Sequence, residues 1–168
     1  MASTDAITLL KEEHREAEKM FKEFEKAKGE GRKQKLAHEI CLALTVHFEL
    51  EETIFYPACK GIVDESELKE GYVEHDAAKL LVAEIEAAEE GAADDFFDTK
   101  VHVLQEEIEH HIKEEEKQQG NIFSQARKTD VDLEALGEQM AARKAELQRQ
   151  AESEGLPPAQ PATLNEEV

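Results

Sequence analysis

Ile40-Cys41-Leu42-Ala43-Leu44-Thr45-Val46-His47-Phe48-Glu49-Leu50-Glu51 reads as an apolar helical face that turns polar part-way along. An α-helix advances about 100° per residue, so Ile40 and Leu44 share one stripe with His47 and Glu51. These two stand where the next two core residues belong. The pattern returns as Leu104, Ile108, His111 and Glu115, with the same 4-3-4 spacing and every position displaced by 64 residues. With Leu104 at zero, Ile108 lies at about +40°, His111 at about −20° and Glu115 at about +20°. His110 and Glu114 repeat the same spacing one residue earlier but fall about 100° off the stripe. The phase therefore selects His47/Glu51 and His111/Glu115 as inward-facing and leaves His38, His102 and His110 on the surface. Glu52 and Glu116, one position beyond each inward Glu, rank second.

Outward from this stretch, helical periodicity covers most of the chain. Ser3, Thr4 and Asp5 offer N-caps for a first helix to about Lys28, whose apolar face (Ile7, Leu10, Ala17, Phe21, Phe24) includes His14. A second helix runs from about Arg32 to Tyr56 and is closed by Pro57 and Gly61. The third starts near Asp64–Ser66 and reaches about Glu90, with Leu68, Tyr72, His75, Val82 and Ile85 inward. After Gly91, Asp94 or Asp95 opens a fourth helix that ends near Gly120, and Ile122, Phe123 and Ala126 continue it after the break. Thr129 to Asp132 resembles a capping box for a fifth helix. From Glu152, three prolines and few apolar residues predict a disordered tail. No strand alternation is evident. The expected fold is all-α, an up-down-up-down four-helix bundle over residues 1–128, with an additional C-terminal helix over 129–152 and a tail over 153–168.

Composition narrows the functional classes. Forty acidic against twenty basic residues give a formal charge of −20, which repels a nucleic-acid backbone. No apolar run approaches the ~18 residues of a membrane helix, and Met1–Leu10 lacks the features of a signal peptide. The two cysteines, Cys41 and Cys59, form no paired or C-x-x-C framework. The expectation is a soluble cytoplasmic protein without nucleic-acid or membrane partners.

Burying a lone His or Glu costs several kcal/mol, so two matched pairs call for an interior partner. With His14 and His75 on the other two helices, four imidazoles and two carboxylates face one interior. That donor set suits Fe, Mn or Zn. The paired Glu-x-x-His motifs of ferritin-like sites are missing, since Glu107 to His110 is the single instance and points outward.

His14, HFELEETIFYP (47–57), Glu74-His75 and HHIKEEE (110–116) together resemble the hemerythrin-like HHE cation-binding family, and residues 131–147 are similar to the helix that follows the bundle in many bacterial members. The resemblance implies that His14, His47, His75 and His111 are terminal ligands. Glu51 and Glu115 would then bridge two non-haem iron ions, together with an oxo or hydroxo group. It also implies open positions for O2, peroxide or a related small molecule, in a role of sensing, scavenging or storage. Oxygen carriers of the family have a further His where this chain has Lys79, and a His-to-Asp pair five residues apart where this chain has His111 and Glu115. Those departures point away from reversible O2 storage and toward peroxide or redox reactivity. Two other readings remain open: an enzyme with catalase-like or ferroxidase activity, and a helical interaction module with a structural metal or none. The fifth helix could dock on the bundle or mediate self-association, so a monomer or a weak homo-oligomer is expected.

Overall fold

The computed structural model describes residues 4–88 and 96–165. Helix α1 (Ala6–Lys26) begins where the Asp5 carboxylate accepts the Thr8 N–H at 2.9 Å, capping a donor the first turn leaves free. Gly29, at φ 89°, turns the chain into α2 (Glu30–Leu50). Helix α4 (Glu65–Glu86) starts at Asp64, whose side chain accepts from the Ser66 and Glu67 N–H groups. Helix α5 (Phe97–Ile112) returns antiparallel to it. These four make the bundle, α1 neighbouring α2 and α5, and α4 neighbouring the same two. Among the described residues there is no strand. Gly91, Asp94, Asp95 and Glu90, expected to mark the turn between the third and fourth long helices, lie outside the described residues.

Two wide turns depart from the regular helix assumed from the sequence. Glu51–Phe55 and Lys113–Lys117 are π-helical, with the Tyr56 N–H reaching back to the Glu51 carbonyl and Gln118 to Lys113. Each extends one of the two helices that carry a His–Glu pair. The first lets the helix continue as α3 (Tyr56–Cys59) through Pro57, which was expected to end it. A widened turn tolerates the absent proline N–H and the bulk of its ring.

After α5, Gly120 at φ 74° makes a turn, and Asn121 caps α6 (Ile122–Arg127), which buries Ile122, Phe123 and Ala126. Helix α7 (Leu133–Glu154) is capped by Asp132 rather than Thr129, whose hydroxyl instead donates to the Ala126 carbonyl. It docks on α1 and α2 by burying Met140 and Gly137. Residues 155–165, expected to be disordered, also lie on the bundle. The Ala162 and Thr163 N–H groups donate to Asp76 at 2.7 and 3.0 Å, and Leu156 packs against the core. Prolines 157, 158 and 161 restrict this segment before it docks, so ordering it costs less entropy than its polarity suggested.

The apolar interior falls into two clusters. One holds Phe21, Phe24, Ile40, Leu44, Val82 and Leu104, and the other holds Ile7, Leu10, Leu50, Phe55, Phe123 and Met140. Cys41 and Cys59 are free and lie in different clusters. Between the clusters runs a polar layer made by one stretch of each long helix. No helix among the described residues is long and apolar enough to cross a membrane.

Candidate metal centre

His14, His47, Glu51, His75, His111 and Glu115, all six selected from the sequence, are the buried polar residues of that layer, none more than 4% exposed. Glu51 Oε2 stands 3.3 Å from His47 Nε2, 3.2 Å from His75 Nε2 and 3.5 Å from His111 Nε2. Glu115 Oε2 stands 3.4 Å from His14 Nε2 and 3.3 Å from His111 Nε2. Donor atoms of His14, His47, Glu51, His111 and Glu115 all lie within 4.8 Å of one another. His75 adjoins this group through His111, their Nε2 atoms 3.3 Å apart. His38, His102 and His110 are exposed, as their helical phase predicts.

A second carboxylate faces the far side of each imidazole and holds three of them by a hydrogen bond. Glu13 meets His47 Nδ1 at 2.9 Å, Glu52 meets His75 Nδ1 at 3.0 Å, and Glu74 meets His111 Nδ1 at 2.8 Å. Glu116 approaches His14 Nδ1 at 3.6 Å. The pattern is cyclic: α1 supplies the carboxylate for α2, the π turn after α2 for α4, α4 for α5, and the π turn after α5 for α1. Each outer acid is the chain neighbour of an inward residue (Glu13-His14, Glu51-Glu52, Glu74-His75, Glu115-Glu116). One position along a helix is about 100° of rotation, which turns the acid out of the interior and toward the adjacent helix. An ionised carboxylate only accepts, so Nδ1 donates to it and Nε2 keeps its lone pair for the interior. Glu52, ranked as a secondary ligand from sequence, therefore orients an imidazole, whereas Glu116, ranked with it, stands behind His14 without hydrogen-bonding it. Glu13 and Glu74 were missed, although the acid-beside-ligand doublets were legible.

Beyond the acids stands a further ring of bases. Lys144 of α7 pairs with Glu13 at 3.0 Å, Lys79 donates to Glu52 at 2.7 Å, Arg15 pairs with Glu116, and His110 lies 3.3 Å from Glu74. Lys79 thus holds a carboxylate in place and does not face the centre.

Tyr56 was also missed. In an uninterrupted helix its phase lies about 140° from that of Glu51, but the π turn carries it inward. Its hydroxyl donates to Glu115 Oε1 at 2.6 Å and its ring stacks on His75. Gly71 on α4 leaves room for this, since a Cβ there would stand 2.6 Å from the Tyr56 hydroxyl.

Electrostatics sharpen the picture. Burial works against ionisation of Glu51, yet His47, His111 and His75 hold its carboxyl well below the usual range. Glu115 is lowered too, chiefly by His111, against both burial and Glu51. Burial depresses His47 and His111, but the carboxylates prevail, raising His47 to about 10 and His111 well above its ordinary value. His14 is lowered by burial. Without a metal, charges of both signs are thus packed into a layer almost closed to solvent. Several of their atoms have no hydrogen bond at all: His14 Nδ1 and Nε2, His47 Nε2, both Glu51 oxygens and Glu115 Oε2. Buried polar atoms without partners are rare and costly, and here they converge. Nitrogen and oxygen donors in this number fit first-row cations.

The family model described as Hemerythrin HHE cation binding domain matches residues 5–120. The chain belongs to this family. Its fold is that of a solved HHE cation binding domain-containing protein from Mycobacterium kansasii, with a TM-score of 0.73 at 21% identity, covering 91% of this chain and 95% of the other. A curated relative, a DNA nickase from Nostoc sp., is 26% identical over 108 residues. That match spans 64% of this chain but only 30% of the nickase. The six inward residues of this HHE domain and their four outer carboxylates all lie within the matched span.

Two cavities approach the layer. One, of about 250 Å³, lies between α1, α2 and α7 and reaches His14, His47 and His111 past Ala17, Leu44, Val46 and Ile108. The other, of about 80 Å³, is acidic and reaches His111 and Glu115 from the α4–α5 side.

Proposed function

We propose that this chain is a non-haem di-iron protein that binds or responds to O2, peroxide or a related small molecule, as a sensor, scavenger or store. The observation that carries the reading is the convergence of unpartnered inner atoms with carboxylate-held imidazoles in one buried layer. His14, His47, His75 and His111 would hold iron terminally, and Glu51 and Glu115 would bridge two ions. Bound iron would supply redox chemistry and coordination positions that the protein leaves free. The chain's own residues would fix the imidazoles and, through Tyr56, hold a proton against Glu115.

The larger cavity supports the small-molecule part of the reading. Ala17, Leu44, Val46 and Ile108 give it an apolar inner wall that suits an uncharged diatomic or peroxide, and its inner end touches three of the imidazoles. Lys79, engaged by Glu52, Asp76 and the Gln160 carbonyl, brings no fifth imidazole-like donor inward. Four imidazoles and two carboxylates leave positions for an exogenous ligand. We assign no nucleic-acid role, since the formal charge is −20 and the nickase match covers a minor part of that protein. The two free buried thiols suit a reducing, cytoplasmic setting.

Spectra of the iron-loaded protein, reduced and then exposed to air or to peroxide, test this reading. A reversible or stoichiometric change supports binding or sensing. Multiple turnovers of peroxide or Fe(II) that vanish in His47→Ala assign an enzyme, and no response to either oxidant contradicts the reading.

A further inference from the structure

The cavity of about 250 Å³ between α1, α2 and α7 is apolar at depth and charged at its rim. Ala17, Leu44, Val46 and Ile108 wall the inner part, which ends on His14, His47 and His111. His14 Nε2 and His47 Nε2 are buried without a hydrogen-bond partner, so a molecule that passes the wall arrives at an unsatisfied side of the centre. Glu16, Glu39 and Gln148, all exposed, form the rim, and the half-buried Glu13 and Lys144 join them.

The charges of that rim do not cancel. Lys144 pairs with Glu13 at 3.0 Å, so these two offset each other. Glu16 and Glu39 remain. The contact of Glu39 with Lys35, 3.9 Å between two largely exposed side chains, is too long and too well solvated to neutralise it. The rim therefore sets net negative charge in front of low-dielectric walls, an arrangement that focuses the field in a cleft. The smaller cavity of about 80 Å³ gives no way round, since Glu67, Glu70, Glu74 and Glu114 line that approach. An anion meets carboxylates from either side.

We propose that the larger cavity is the route to the centre and that Glu16 and Glu39 make it a charge filter. It passes neutral molecules such as dioxygen, nitric oxide or hydrogen peroxide and turns back anions such as superoxide. The filter rests on the small-molecule reading above and narrows it to uncharged substrates. Superoxide is the discriminating case, because it matches dioxygen in size and differs by one charge.

Two measurements on the full chain test the proposal. In the metal-free chain, dissolved O2 is expected to speed proton relaxation of the Ala17, Leu44 and Ile108 methyls more than of the equally buried Ile7 and Leu50. Equal effects overturn the route, whether or not iron binds. In the iron-loaded chain, stopped-flow spectra follow binding of azide, an anion, and of nitric oxide, which is neutral. Wild type is compared with Glu16→Lys/Glu39→Lys at matched iron content. Azide is expected to bind roughly tenfold faster in the variant, the lower end of electrostatic steering, and nitric oxide at the wild-type rate. Glu84→Lys/Glu106→Lys makes the same change of net charge on exposed residues that line neither cavity, and should leave azide near the wild-type rate. Azide unchanged in the rim variant, or equally fast in both variants, overturns the filter. A chain that takes up no iron contradicts the metal-centre reading instead, and the relaxation comparison then decides the route by itself.

Discussion

The Tyr56 hydroxyl donates a 2.6 Å hydrogen bond to Glu115 Oε1, across 59 residues of chain and within the polar layer. The bond depends on two features with no ligand chemistry of their own, the π turn that rotates Tyr56 inward and the missing Cβ of Gly71. Tyr56→Phe keeps the ring on His75 and removes only the donor. The metal-free protein is expected to lose about 1–3 kcal/mol in denaturant unfolding, the usual cost of orphaning a charged acceptor. Gly71→Ala is expected to act in the same direction by displacing the phenol, and wild-type stability in both would show that the bond contributes nothing.

Glu13, Glu52 and Glu74 each hold an imidazole from behind. Glu→Gln at Glu13 or Glu52 keeps the size and removes the charge. Outer partners of this kind typically change metal affinity 10–100-fold, so each variant is expected to weaken metal binding by that order in a competition titration against a chelator. The circular dichroism of the metal-free chain should not change.

The pH dependence should reverse on metal loading. His47 in the metal-free chain is raised from 6.5 to about 10: burial opposes the shift, but Glu51 and Glu13 outweigh it. A folded-state pKa above the unfolded one gives stability fully present below pH 6.5 and lost as pH rises toward 10. His111, raised for the same reason, adds to this trend. Metal needs neutral imidazoles, so the loaded form should weaken as pH falls. Thermal melts between pH 5 and 10 are expected to slope in opposite directions for the two forms, and parallel slopes would contradict the charge assignment.

Helix α7 is held tightly at Gly137, where an added Cβ would overlap the Thr4 carbonyl oxygen and lie 2.9 Å from the Ala6 nitrogen. Backbone cannot yield as a flexible side chain can. Gly137→Ala is expected to cost about 1–3 kcal/mol, lowering the thermal midpoint by roughly 2–4 °C for each kcal/mol in a chain of this size. Because α7 also carries Lys144 to Glu13, metal affinity should fall in the same variant.

The bundle and its six inward residues were legible because a helical stripe is a strict geometric constraint. His111 and His110 are adjacent, yet one is 2% exposed and the other lies largely in solvent, as their phase requires. What a uniform 3.6-residue period cannot register is a change of period. The π turns at Glu51–Phe55 and Lys113–Lys117 were therefore invisible, and with them the inward swing of Tyr56 and the passage through Pro57. The pairing of outer carboxylates was hidden for another reason. Glu13 and Glu74 serve imidazoles on the neighbouring helix, and the spacing within one helix says nothing of its neighbour's rotation. The docking of residues 155–165 escaped because it rests on backbone N–H groups meeting Asp76, which no side-chain pattern announces.

The central claim, that the polar layer is a two-ion centre, is tested most directly by counting iron. Elemental analysis of protein expressed with ample iron should give about two ions per chain in the wild type. His47→Ala and Glu51→Ala, each removing donors from the layer, should fall well below that while Tyr56→Phe stays near it. A wild-type chain without iron, or counts unchanged in His47→Ala and Glu51→Ala, would contradict the account.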